Sequence, residues 1–140
     1  MARKFNKMRS LEKRVGEFLK ARDWNHLRPS DLAKSIMIEG AELLELFQWS
    51  SLEIEDVLKD EFKLSEVKKE LADVLIYCIQ MSVLLKLDTR KIIEDKLALA
   101  DKKYPADLMK KRSVRPGNEE VYLKIKMAHR TKSKTGEGRN

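Results

Sequence analysis

The chain has 140 residues, with 30 Lys and Arg against 23 Asp and Glu, and at this length it is expected to form one domain. Five glycines and three prolines supply too few turn signals for a β-sandwich or barrel, so the 42% apolar and 38% charged composition points to helices with solvated faces. Residues 1–109 hold 20 basic and 20 acidic side chains, whereas residues 110–140 hold 10 and 3, so the net charge of +7 describes a basic tail and excludes a basic domain.

The N-terminal "MARKFNKMRS" contains no apolar signal core, and a cytoplasmic protein is expected. Met8, Leu11, Val15, Phe18 and Leu19 follow helical spacing and predict a first helix near 7–22. In "RPSDL", Pro29 breaks the chain, Ser30 can cap a second helix and Asp31 suits its first turn; that helix should run to about Trp49. Ser51 can cap a short helix through about residue 61, with Ile54, Val57 and Leu58 on one face. Ser65 can cap a long helix that continues to about Lys86 without a breaker.

Within that helix only Gln80 and Ser82 are polar between Val74 and Leu85, a run too short to span a bilayer. A helix that is apolar all round must be covered on all sides. Four to five helices of this size do not enclose it, so the 66–86 helix is expected in a subunit interface of a homo-oligomer. The sole cysteine, Cys78, lies in this run and reads as a small core residue; it cannot form an internal disulfide, which fits a reducing compartment. Asp88 can cap the last main helix, which stops before Pro105. "SVRPGN" reads as a linker, Asn118 can cap a short helix over 119–129, and "TKSKTGEGRN" is expected to be disordered. The organisation expected is an all-α domain over 1–112 and a basic extension over 113–140.

Two acidic pairs stand inside this pattern. "IEGAELLELFQW" holds Glu39 and Glu42, and "KKELADVLIYCIQM" holds Glu70 and Asp73, each pair three apart and therefore on one helix face. Like charges so placed repel weakly in water and more strongly beside a core. Both pairs border apolar sequence. They form either a solvated helix edge or, if the two helices pack antiparallel, an oxygen-rich site for a hard divalent cation such as Mg²⁺. A di-iron bundle would require ExxH motifs, and neither His26 nor His129 completes one.

"EGAELLELFQW" followed by "ELADVLIY" resembles the MazG-like, all-α nucleoside triphosphate pyrophosphohydrolases, close to their dCTP pyrophosphatase branch. The resemblance covers roughly residues 17–107, from "EFLKARDW" to "KLALADKKYP". It implies a homodimer or homotetramer built around a helical bundle, hydrolysing a (d)NTP to (d)NMP and pyrophosphate with Mg²⁺. It assigns Glu39, Glu42, Glu70 and Asp73 as metal ligands and catalytic groups, with Glu45 a turn further on as a supporting or surface residue. Trp24 and Trp49 match aromatic positions of the base pocket, Tyr77, one turn beyond Asp73 on the same face, is a candidate substrate contact with a buried, hydrogen-bonded tyrosine as its competing role, and Lys96 and Lys103 match basic positions near the phosphates. Core packing is the competing role for the two tryptophans, and surface exposure for the two lysines. Two departures leave base and sugar recognition open: Ala100 stands where many relatives carry Asn, with Asp101 beside it, and "WNHLRPSDL" places His26 at a different offset. A second class of function, nucleic-acid binding through the basic tail, has only Tyr122 there to stack a base.

Overall fold

The structure, a computed structural model of the single chain, describes residues 7–110 and 119–134. These residues form seven helices: α1 Lys7–Lys20, α2 Pro29–Glu45, α3 Ile54–Lys59, α4 Glu61–Leu84, α5 Thr89–Lys103, α6 Ala106–Lys110 and α7 Glu119–Lys134. The all-α class holds, with one more helical segment among the described residues than expected. α6 was not foreseen, and α7 extends to Lys134 over residues expected to lack structure. Asn118 and residues 135–140 of the expected tail lie outside the described residues. No described helix is long and apolar enough to cross a membrane.

The starts of three helices differ from the sequence expectation. Pro29 is the first residue of α2 and Arg28 its cap, so Ser30 already lies inside; a proline fits there because the first amide has no helical partner to lose. α3 is capped by Glu53 rather than Ser51. Its carboxylate meets the backbone of Asp56, and Asp56 Oδ2 accepts from the Glu53 amide at 3.1 Å. α4 begins four residues before Ser65, because Asp60 Oδ1 accepts from the Lys63 amide at 2.8 Å. The expected cap at Asp88 is present, its Oδ1 accepting from the Lys91 amide at 2.9 Å.

α2 ends at Glu45 rather than near Trp49. Tight turns follow, with the Phe47 amide on the Leu44 carbonyl and the Gln48 amide on the Glu45 carbonyl. The Lys63 ammonium of α4 donates to the Leu46 carbonyl and sits 5.7 Å from the centre of the Phe47 ring. A cation there also suits the negative end of the α2 dipole.

α1 and α4 end alike. The Trp24 amide donates to the Leu19 carbonyl and the Asp23 amide to Lys20; the Leu87 amide donates to Ser82 and the Lys86 amide to Val83. Both are Schellman closures, and the residues at the turn, Asp23 and Lys86, take the left-handed φ of 56° usually left to glycine.

The chain divides into two compact units, residues 1–92 and 93–140, each described by itself. In the first, α4 is the central rod: α2 packs along it most extensively, then α1, then α3. Val15, Leu19 and Ile79 form the buried cluster, with Val83 and Leu84 against it, and Leu32 is buried on α2. The start of α5 is tied to α1 by the Thr89 amide, which donates to Glu12 Oε1 at 2.8 Å. In the second unit Tyr104 and Tyr122 stack with centroids 5.4 Å apart, so the tail's aromatic ring is already engaged.

Cys78 is exposed, contrary to its expected place in the core. Leu71, Leu75 and Ile76 of α4 are exposed with it, as are Leu11 and Phe18 of α1. The periodicity of the α4 run is apolar on every side, and a single chain covers only part of it.

Candidate metal centre and adjoining cavity

The pairing of α2 with α4 is antiparallel, and three contacts along it show the register. Lys63 meets the end of α2 at Leu46, Glu70 and Asp73 meet Glu39, and Tyr77 and Gln80 share a cavity with Ser35 and Leu32. The helix geometry then explains why the acids converge. Residues three and four apart share a face, so the same faces of the two helices carry carboxylates at one level and cavity-lining groups one to two turns away.

Glu39, Glu70 and Asp73 each offer an oxygen within 4.8 Å of the others. Glu39 and Glu70 are half-buried and Asp73 is exposed. Among the described residues none of the three forms a salt bridge. Burial, and next the charge of Glu42, pushes the Glu39 carboxyl above the usual carboxylate range, with Asp73 and Glu70 adding to it. Burial also raises Glu70, followed by Glu42, Asp73 and Glu66, while Lys69 opposes the shift. Glu42 is exposed and stands outside the tight group, yet its charge is felt by both half-buried members. Glu45 is exposed and outside it as well.

The donor set fits a hard divalent cation. Oxygens sharing one Mg²⁺ at about 2.1 Å stand roughly 3–4 Å apart in octahedral geometry. Three carboxylate oxygens within 4.8 Å reach that spacing by small side-chain rotations. A cation there offsets the mutual repulsion that, after burial, adds to the raised proton affinity of Glu39 and Glu70.

Next to the acids along the same groove lies an open cavity of about 210 Å³, lined by Trp24, Leu27, Asp31, Leu32, Ser35, Tyr77 and Gln80. Trp24 is delivered by the Schellman closure of α1, which sets its ring edge-on to Phe18 at 6.0 Å; Phe18 is covered on another side by the Arg22 guanidinium at 3.7 Å. Asp31 is held by the Arg28 guanidinium through contacts of 2.8 and 3.2 Å, and this hydrogen bonding keeps its carboxyl below the usual range. Gln80 is 3% exposed, and its Oε1 is buried without a hydrogen-bond partner among the described residues.

Of the aromatic candidates, Trp24 and Tyr77 therefore come together in one cavity. Trp49 lies outside it, 89% exposed on the segment after α2, so core packing is not its role in the single chain. Lys96 and Lys103 belong to the second unit, where the Lys103 ammonium lies 5.2 Å from the centre of the Tyr104 ring. Asp31, Ser35 and Gln80 were not singled out as site residues by the sequence. For Gln80 the signal was present, since it is one of two polar residues in the apolar run of α4.

Comparison with known proteins gives a consistent picture. The model of the MazG-like family matches residues 34–117, more than half of the chain. A dCTP pyrophosphatase 1 from Rattus norvegicus is 31% identical over 94 residues, covering 66% of this chain and 55% of that protein. Its Homo sapiens counterpart is 30% identical over 99 residues, covering 69% and 58%. The chain thus spans a little over half the length of the curated relatives it matches. Among solved structures, a pyrophosphatase from Archaeoglobus fulgidus superposes with a TM-score of 0.65 at 34% identity, over 75% of this chain and 98% of that one.

Proposed function

The chain belongs to the MazG-like family, and from that premise we propose that it is a Mg²⁺-dependent pyrophosphohydrolase converting a (d)NTP to the (d)NMP and pyrophosphate. The observation that carries this reading is the convergence of Glu39, Glu70 and Asp73 from two helices, directly beside a cavity walled by an indole and a phenol ring. The similarity to dCTP pyrophosphatases and to an archaeal pyrophosphatase supports the same reaction class.

Glu39, Glu70 and Asp73 hold the cation, with Glu42 adding charge at the rim. When bound, Mg²⁺ neutralises the triphosphate and polarises its phosphoryl oxygens. Trp24 and Tyr77 take the base, by stacking and by contact with the phenol. One carboxylate of this acidic group accepts the proton of the water that attacks the α-phosphorus. The bond to the leaving pyrophosphate then breaks. Lys96, Lys103 and Trp49 stand as substrate contacts on the resemblance alone. The hydrolase domain spans residues 1–112, with 113–140 as an extension that this chemistry does not need. The role is removal of unwanted nucleotides from the cytoplasmic pool.

The protein acts as a homodimer or homotetramer. Exposed Leu71, Leu75 and Ile76 of α4, the last of them sharing a cleft with Leu11 and Phe18 of α1, are the surface that a second copy would cover.

Incubation of the purified protein with dCTP, dUTP, dTTP and ATP plus Mg²⁺ tests the reading. Release of the monophosphate and pyrophosphate from at least one of them is expected. Orthophosphate alone, or no turnover of any, would overturn it.

A further inference from the structure

We infer that Gln80 reads the hydrogen-bonding edge of the nucleobase and sets which bases the site accepts. This deepens the nucleotide reading above and rests on it. Gln80 is 3% exposed on the central helix, lines the cavity with Trp24 and Tyr77, and keeps Oε1 buried without a partner. A buried acceptor left unpaired is destabilising, and native proteins rarely keep one. Leucine or methionine would fill the same helical position without that penalty. The amide is compensated when a ligand brings an N–H group into the cavity.

A carboxamide places one acceptor beside two donors. Cytosine and adenine present an amino donor beside a ring-nitrogen acceptor. Uracil, thymine and guanine present a carbonyl acceptor beside a ring N–H. An amide fixed by packing matches one order and opposes the other, so Gln80 discriminates between these two classes while Trp24 contributes stacking that is indifferent to base identity. Ser35 offers no competing partner for Oε1, since its hydroxyl is turned to the Asp31 carbonyl at 3.1 Å.

The test compares wild type with Gln80→Met and Gln80→Glu on dCTP, dATP, dTTP and dGTP. Methionine keeps the volume but removes both hydrogen bonds. The wild-type ratio of kcat/KM between the two edge classes should collapse by roughly ten- to a hundred-fold in Gln80→Met, through loss of the favoured class only. Gln80→Glu keeps the acceptor but loses the donors, so it should retain only part of the wild-type preference. An unchanged ratio in Gln80→Met, or an equal loss for all four nucleotides, overturns the inference and leaves the hydrolase reading standing. If wild type turns over no triphosphate, the hydrolase reading fails first. Calorimetry with the free deoxynucleosides then decides the matter: about tenfold weaker binding of one class to Gln80→Met supports a base reader, and equal or absent binding overturns it.

Discussion

Two ends of one groove between α2 and α4 use opposite physics. At the acidic end, Glu39, Glu70 and Asp73 crowd like charges that no salt bridge among the described residues neutralises. At the other end the walls are largely apolar and aromatic, the one carboxylate, Asp31, is paired with Arg28, and the unmet demand is a single amide oxygen. The first end lacks positive charge; the second lacks a flat partner with an N–H. A nucleoside triphosphate with its cation supplies both. The contrast teaches that a site can be recognised by what its own residues leave unsatisfied, and that the kind of deficit names the ligand.

The sharpest way to break the comparison is at the acids. Glu70→Gln should lower kcat by about a thousand-fold or more, because a cation holding the triphosphate contributes several kcal/mol to the transition state. It should leave the helical content and the metal-free melting temperature unchanged or higher, since a repulsive charge is removed. Circular dichroism beside the kinetics checks both parts. Loss of activity together with loss of helix would make Glu70 structural.

The apolar end should respond more mildly. Trp24→Ala removes a stacking surface worth about 1–3 kcal/mol per base, so KM should rise roughly ten- to a hundred-fold with a smaller change in kcat. Steady-state kinetics at saturating Mg²⁺ separates this from the behaviour of Glu70→Gln. An unaltered KM would remove Trp24 from the binding surface.

Acidification gives the smallest and most diagnostic difference. Glu39 and Glu70 have proton affinities raised above the ordinary value of 4.5, so just above it the folded state binds more protons than the unfolded one. The metal-free protein therefore gains stability as pH falls from neutral toward that value. Asp31 has the opposite sign: Arg28 holds it below its ordinary 3.8, its contribution is present above that value and fades as pH falls through the lowered one. The melting temperature in chelator should rise and then decline on acidification, and the rise should disappear when Mg²⁺ keeps the acids ionised. A flat profile between neutrality and pH 5 would show that the proton affinities of Glu39 and Glu70 are not raised.

Much of this was legible in the sequence, for reasons that differ by feature. The acidic pairs were readable because helical spacing alone puts each pair on one face, and Asp88 because a capping side chain stood in front of a clear helical run. The caps at Glu53 and Asp60 were not, since Ser51 and Ser65 have the same chemistry and only the path of the chain chooses between them. Cys78 was expected inside because its neighbours are apolar, but burial depends on what packs against a helix, which local periodicity does not contain. Gln80 was visible as an anomaly in α4; whether its amide had a partner required neighbouring helices to be in place. Trp49 shows the converse, an aromatic in a recognisable motif that the folded chain leaves outside the cavity.

Asp73, Tyr77 and Gln80 stand on one continuous helix. Seven residues of α-helix advance about 10.5 Å, close to two full turns, so the first and last of the three point the same way at a fixed interval. α4 is in that sense a graduated scale. A free base or an isolated pyrophosphate occupies only one mark on it. Only a molecule with an anion at one extremity and a ring at the other can register with both, which gives the groove a preference for ligand length before any atom of the base is inspected.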